Sequence, residues 1–394
     1  MAVAELAVLR LKAERDKSLK AGHPWVFSGA IDSIKGTAQA GDTVLVRNDS
    51  GQALGLAAYS PHSQIAARLW TSDSTQDINA DFLRQRLKAA IARRGPLSPE
   101  QGMRLVHAES DYLPGLIVDR YADTVVTQIL SAGAEKWRDS IHDILLGELQ
   151  PKVLVERSDV DVRPLEGLES RIATHHGKAE PAEINEHGVR YFVDVMQGHK
   201  TGFYLDQSAN RLLLQQLARG KRVLNACCYT GGFSHAAALG GASHITSVDS
   251  SGQALDNARR IAEHNGHADK HTWVEADVFE FLRGERDRAK QYDLIVLDPP
   301  KFAPTAKHVD KAARAYKDIN LLGMKLLAAG GDLLSFSCSA GVSDDLFYKI
   351  LAGSARDARA DMQVLARLTA HHDHPATLHF PEGHYLKGLH LRKW

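Results

Sequence analysis

Three short segments carry the residues in this chain that could do chemistry. Cys338 closes the apolar run Leu333-Leu334-Ser335-Phe336-Ser337 and is followed by Ser339. Asp298 follows the run Asp293 to Leu297 and precedes Pro299-Pro300. The third segment, Tyr229-Thr230-Gly231-Gly232-Phe233-Ser234, lies behind the run Lys221 to Asn225. Ligands of open α/β sheets collect at the carboxyl ends of the strands. A glycine turn, an acid before two prolines and a thiol on one such rim point to methyl transfer to a pyrimidine carbon of a nucleic acid. C5 of cytosine is a poor nucleophile. Addition of a thiolate at C6 makes C5 enamine-like and able to attack a methyl sulfonium. Asp298 is the candidate to protonate or hydrogen-bond N3 as charge builds on the ring. No residue stands out as the base that takes the C5 proton.

The glycines let a ligand approach the backbone, and the helix that follows offers its N-terminus to an anionic group. The spacing is not Gly-x-Gly-x-x-Gly, which weakens a dinucleotide reading. Asp249, after Ile245 to Val248, is placed to accept both ribose hydroxyls of a nucleoside. Asp277, after Trp273 to Ala276, is placed to accept an adenine amino proton. Carboxylate, ribose and adenine together describe S-adenosylmethionine. Taken singly, each acid reads as a helix cap or solvated loop, and Cys338 as a small buried hydrophobe. The combination at successive strand ends favours the ligand reading.

These residues need a sheet to hold them. From Asn185 onward strands and helices alternate: a strand at Val189–Val195, a helix at Gln207–Arg219, then strands near Lys221, His244, Thr272, Asp293 and Leu333 with helices between. Such alternation implies a parallel, doubly wound sheet. The first part of the chain reads differently. Leu6 to Trp70 shows short strands and tight turns, a small β-barrel of about 70 residues. Asp81–Arg94 and about Ala134–Leu149 read as helices among strands, a second, mixed unit. Ser158 to Pro181 is polar and reads as a linker.

The chain has 394 residues, enough for two or three domains. Apolar residues make up 44% and charged ones 24%, ordinary for a globular protein. Net charge is zero with 20 histidines, so any basic surface for nucleic acid must be local. The three cysteines, Cys227, Cys228 and Cys338, form no disulfide framework, and a cytoplasmic location is expected. No membrane span is expected. Nor is a metal site: His371, His372 and His374 lack companion ligands at suitable spacing, and Cys227 and Cys228 read as packing beside the ligand. His23, Trp25 and Phe27 are core aromatics or base-stacking candidates.

Lys200-Thr201-Gly202-Phe203-Tyr204-Leu205-Asp206-Gln207, Tyr229 to Ser234, Leu297-Asp298-Pro299-Pro300-Lys301-Phe302, Ser335 to Ser339 and Phe380-Pro381-Glu382-Gly383 together resemble the bacterial ribosomal RNA large subunit methyltransferase I family. These are S-adenosylmethionine-dependent cytosine-C5 methyltransferases of 23S ribosomal RNA. The resemblance covers essentially the whole chain. It implies an N-terminal PUA-type RNA-binding β-barrel (1–73), a small central α/β domain of the α+β kind (74–184) and a Rossmann-like methyltransferase domain (185–394). It implies cofactor contacts at Lys200, Thr201, Phe203, Tyr204, Asp206, Gln207, Tyr229, Thr230, Gly231, Gly232, Asp249, Asp277 and Asp298. Pro299, Pro300, Lys301 and Phe302 would face the RNA, and Cys338 matches the nucleophile. One departure is Ser208, where the family usually has Arg after Asp-Gln; Arg211 is the candidate substitute. Another is Lys301 after Pro300, where better-known RNA cytosine-C5 enzymes carry a second cysteine beside their Asp-Pro motif. A homodimer is one state the sequence allows.

The rival readings are guanine N7 or other RNA base methylation on the same scaffold without a thiol, a nicotinamide dehydrogenase, and an RNA-binding module on a decayed methyltransferase fold. Arg10, Lys12, Arg15, Lys17 and Lys20, interleaved with Glu14 and Asp16, are candidates for holding RNA backbone or form a solvated face.

Overall fold

The computed structural model describes residues 6–302 and 309–394. The chain forms two compact units. One comprises residues 1–184, 192–205 and 372–383, the other 185–191, 206–371 and 384–394.

In the first unit a six-stranded sheet has the order Trp25–Phe27, Ile65–Thr71, Ala53–Tyr59, Thr43–Arg47, Val8–Leu11, Ile31–Lys35. Its pairs are antiparallel except Val8–Leu11 with Thr43–Arg47. Alternate residues such as Val44 and Val46 are buried with Leu9, Leu11, Ala57 and Ala67, as a half-buried sheet requires. A second sheet of five strands runs Arg171–His176, Val153–Ser158, Thr124–Ile129, Leu116–Tyr121, Gly102–His107. Helices Ala80–Arg93 and Arg138–Leu149 pack beside it, the first capped by Asn79, which accepts from the Phe82 amide at 2.9 Å. Ala58 and Trp70 of the six-stranded sheet share one apolar cluster with Leu83, Leu87, Leu105 and Ile141.

The expected linker at 158–181 is corrected here. Arg171–His176 is an edge strand, antiparallel to Val153–Ser158. Five of its six side chains are exposed, so it carries no apolar alternation and is held by backbone pairing. The expected helix at Ala134–Leu149 is two, Ala132–Lys136 and Arg138–Leu149, broken at Trp137.

The second unit holds a seven-stranded sheet: β1 Arg222–Ala226, β2 His244–Asp249, β3 His271–Glu275, β4 Tyr292–Leu297, β5 Leu327–Ser337, β6 Met362–Leu368 and β7 Lys387–Lys393. Their order is β3-β2-β1-β4-β5-β7-β6. The first five are parallel, and β7 lies antiparallel between β5 and β6. Leu294 to Leu297 are all fully buried, as in a sheet covered on both faces. The helices are α1 Ser208–Leu217, α2 Gly232–Leu239, α3 Gly252–His264, α4 Val278–Asp287, α5 Val309–Leu326 and α6 Asp344–Ala358. In α3, Leu255, Ala258, Ile261 and Ala262 form one buried stripe, the pattern that docks a helix on a sheet. The strand order reverses between β1 and β4, whose ends meet in register at Ala226 and Leu297. That crevice is where an α/β sheet takes its ligand.

Candidate active site at the carboxyl rim of the sheet

The glycine turn leaves β1 at the switch point. Cys227, Tyr229 and Gly231 all have positive φ (59°, 49° and 77°), so the chain folds tightly there. A Cβ on Gly231 would stand 2.9 Å from His235 Nε2 and from the Trp273 ring, which excludes any other residue without a shift. The Tyr229 amide donates to Asp249 Oδ2 at 2.7 Å, and the Ser251 amide to Oδ1 at 3.0 Å. Both carboxylate oxygens of Asp249 are thereby fixed at the end of β2, with lone pairs left for hydroxyls. Asp277 is exposed after β3 and caps α4, its Oδ1 accepting from the Glu280 amide at 3.0 Å. The capping role and a ligand role use different oxygens. Burial first, then the charges of Asp249, Asp298 and Asp277, push the Cys227 thiol well above the ordinary range. The three acids therefore surround one turn, and Cys227 stays protonated, in keeping with a packing role.

Asp298, half-buried directly after β4, accepts from Gln207 Nε2 at 3.0 Å. Gln207 Oε1 in turn accepts from Asn210 at 2.6 Å. Asp206, beside it, accepts from the Tyr385 hydroxyl at 2.5 Å. Arg211 is buried, with its guanidinium bidentate on Glu186 at 2.6 and 2.8 Å, and Ser208 Oγ lies 3.1 Å from His187 Nε2. Pro299 is buried, while Pro300 and Lys301 are exposed. Phe302 packs edge-on to Tyr316 at 4.9 Å.

Cys338 directly follows β5, partly buried against the cluster of Leu334, Phe336 and Leu386. Tyr316 is fully buried, and its hydroxyl lies 3.0 Å from Ser339 Oγ. Burial raises the Tyr316 phenol above its ordinary range, and the charges of Cys338 and Asp298 add to this, so both groups lie within electrostatic reach of one phenol. Lys387, which sequence reasoning missed, is paired in register with Ser337. Its ammonium donates to the Tyr385 carbonyl at 2.8 Å. Burial pulls it below the ordinary lysine range, against the charges of Asp344 and Cys338. A cavity of about 240 Å³ lies alongside, lined by Asp344, Phe347, Arg367, Lys387 and Leu389 among others.

The Lys200 to Gln207 segment divides between the two units after Leu205. In the first unit Thr201 is fully buried, donating to Asp119 Oδ2 at 2.6 Å and lying 2.7 Å from the Tyr121 hydroxyl. Asp119 also holds Arg104 at 2.7 and 2.8 Å. Phe203 is buried, and Lys200 Nζ lies 4.3 Å from the centre of the Tyr204 ring. Trp25, with its indole donating to Glu109 at 2.8 Å, packs on Phe380 at 4.9 Å, while Phe27 remains half exposed. Of the N-terminal basic residues, Arg10 bonds the Asp49 carbonyl, Lys12 the Gly29 carbonyl, Lys17 pairs with Glu14 and Lys20 with Asp16. Among the described residues no helix is long and apolar enough to cross a membrane.

The rim fits S-adenosylmethionine: a turn without room for a Cβ, an oriented acid for a ribose at β2, and an exposed acid after β3. Residues 171–384 match the S-adenosylmethionine-dependent methyltransferase family, and residues 9–72 a PUA-like domain. Two solved structures share the fold at 23% identity, each over 98% of this chain and 99% of its own. One is a methyltransferase complexed with SAH (TM-score 0.85), the other a SAM-dependent methyltransferase from Streptococcus mutans (TM-score 0.84). The chain is a Rossmann-like, S-adenosylmethionine-dependent methyltransferase with an N-terminal PUA-like domain. It is 49% identical, over 98% of its length and 99% of the other's, to the ribosomal RNA large subunit methyltransferase I of Shewanella frigidimarina. A similar relative from Pseudoalteromonas translucida is 46% identical over 96% and 97%. The chain belongs to the ribosomal RNA large subunit methyltransferase I family.

Proposed function

We propose that this enzyme methylates C5 of a cytosine in 23S ribosomal RNA through a covalent adduct on Cys338. One observation carries the reading: Cys338 follows β5 directly, and β5 pairs in parallel with β4, which Asp298 follows. The names of the relatives support a ribosomal RNA substrate.

Bound S-adenosylmethionine supplies an electrophilic methyl group. Lys387 favours the thiolate of Cys338, which adds to C6 of the cytosine while N3 takes a hydrogen bond or proton from Asp298. C5, now enamine-like, takes the methyl group. Loss of the C5 proton to a base, expulsion of the thiolate from C6 and return of any proton taken up at N3 to Asp298 restore the ring. Gln207 orients Asp298 for this task. Asp249 and Asp277 hold ribose and adenine, with the turn Tyr229 to Gly232 beside them, and Asp206 completes the cofactor-binding set. Pro299, Pro300, Lys301 and Phe302 face the base, and residues 1–73 hold RNA, with the half-exposed Phe27 as a stacking surface. A base within a helix must first be flipped out, at a cost of roughly a few kcal/mol.

The test incubates the wild type and Cys338→Ala with radiolabelled S-adenosylmethionine and unmodified 23S RNA and identifies the labelled nucleoside. Label in 5-methylcytidine, lost in the variant, is expected. Label in a guanosine, or retained in the variant, would make Cys338 a packing residue and move the reaction to thiol-free chemistry.

A further inference from the structure

Three histidines of the second unit converge away from the thiol. His235 lies in α2, His271 opens β3, and His267 stands four residues before it across a single 3₁₀ turn, Ala268–Lys270. One nitrogen from each ring lies within 4.8 Å of the other two. His235 and His267 are more than nine-tenths buried.

The hydrogen bonding of this cluster does not close. The Thr230 carbonyl can only accept, so at 3.1 Å it fixes the proton of His235 on Nε2 and leaves Nδ1 a bare lone pair. His235 Nδ1 is buried and has no partner. His267 Nδ1 and His271 Nε2 lie 3.1 Å apart. Whichever of them donates, two neutral rings leave one bare lone pair and one unmet N–H on His267 Nε2 and His271 Nδ1, both buried without partners. No choice of tautomer satisfies the three rings. Neutral imidazole is the ligating form.

We propose that His235, His267 and His271 bind a zinc ion that braces the glycine turn. Zinc bonds to imidazole nitrogen at about 2.0 Å, and tetrahedral geometry spaces its ligands about 3.3 Å apart, close to the His267–His271 contact. The hydrogen bond from His235 Nε2 to the Thr230 carbonyl is the outer support that ligating histidines use, and Thr230 belongs to the turn that leaves β1. The fourth position is left to water. The His-x₃-His spacing was legible in the sequence, but its third partner, 32 positions before His267, was not.

A second group, His142, Glu156 and His175 of the first unit, has a similar make-up, with His175 exposed, and serves as the internal control. Tag-free protein, stripped by chelator, is titrated with Zn²⁺ against a chromogenic indicator and with Co²⁺ by visible absorption. With 20 histidines in the chain, weak surface binding forms a background, so the affinity ratio decides. One tight equivalent is expected, with the intense bands of four-coordinate Co²⁺, weakened at least tenfold in His271→Gln and in His267→Gln and unchanged in His175→Gln. His271 is only partly buried, and should one variant fail to fold, the other and the wild-type Co²⁺ spectrum still decide. Wild-type affinity in both variants, loss in His175→Gln instead, or only weak six-coordinate Co²⁺ bands would overturn the assignment.

Discussion

Cys338 directly follows Ser337, which pairs in register with Lys387 of the antiparallel β7. The lysine's role is to stabilise a thiolate, so its removal acts on the pH profile more than on cofactor binding. Lys387→Met is expected to lower kcat roughly tenfold at neutral pH, the equivalent of about 1.4 kcal/mol of lost stabilisation. The acid limb should move to higher pH, so that the deficit shrinks as the thiol ionises unaided. A uniform loss across the profile would leave Lys387 a packing residue. A second residue test concerns Asp332, fully buried and holding Lys221 at 2.6 Å, His390 at 2.9 Å and Arg392 at 3.0 Å. Burial alone would raise its carboxyl, but the hydrogen bonds from His390 and Lys221 override that and hold it well below the usual range. The folded pKa is lower than the unfolded one. The resulting stability is therefore present above about pH 4 and lost as pH falls through the folded value. Asp332→Asn should cost about 1–3 kcal/mol at pH 7, since it removes charge-assisted hydrogen bonds to a buried carboxylate, and denaturant unfolding should show the gap to wild type closing in acid. The places of Cys338, Asp298, Asp249 and Asp277 at or just after parallel strands were legible in the sequence. Lys387 was not, because no local pattern says which strand β7 will join.

At the level of elements, the same logic separates what the sequence announces from what it hides. The buried strand β4 announces itself by the apolar run Leu294 to Leu297. β2 occupies His244–Asp249, the range expected for it. The helix α5 ends at Leu326, because β5 begins at Leu327. β7 inserts between β5 and β6 through tertiary pairing alone, and the edge strand Arg171–His176 shows water its side chains. The turn between Glu186 and Val189 is legible only in retrospect, with His187 and Gly188 at φ 52° and 91°, as a two-residue hairpin turn requires. Asp277 tests an element directly, since it both caps α4 and faces the cofactor rim. Asp277→Ala should cost about 1 kcal/mol of stability through the lost cap and also weaken S-adenosylmethionine binding. Asp277→Asn keeps a capping oxygen and removes the charge, so its stability should match wild type while cofactor affinity falls. Titration calorimetry with thermal unfolding on both variants separates the roles; equal stability loss in both would show that the cap depends on charge.

At the scale of the molecule, sequence reading draws a boundary near residue 73, and the PUA-like family match spans residues 9–72. The packing adds a constraint that such a boundary hides. Ala58 and Trp70, on strands of the PUA-like sheet, sit in the same apolar cluster as Leu83, Leu87, Leu105 and Ile141 of the segment that follows. Gly133 marks how close the approach is: a Cβ there would lie 2.3 Å from that of Ala58. A segment that shares its core with its neighbour does not melt alone. The two segments should therefore unfold as one cooperative body even though the PUA-like match ends at residue 72. Trp70, only 3% exposed, is the test position, because truncating a buried tryptophan costs about 3–5 kcal/mol. In Trp70→Ala, amide hydrogen exchange should speed up together at Val44 and Val46 in the PUA-like sheet and at Leu105 and Val106 in the central one. Acceleration confined to residues 9–72 would mean that the PUA-like segment carries its own stability and that the shared cluster is contact without coupling.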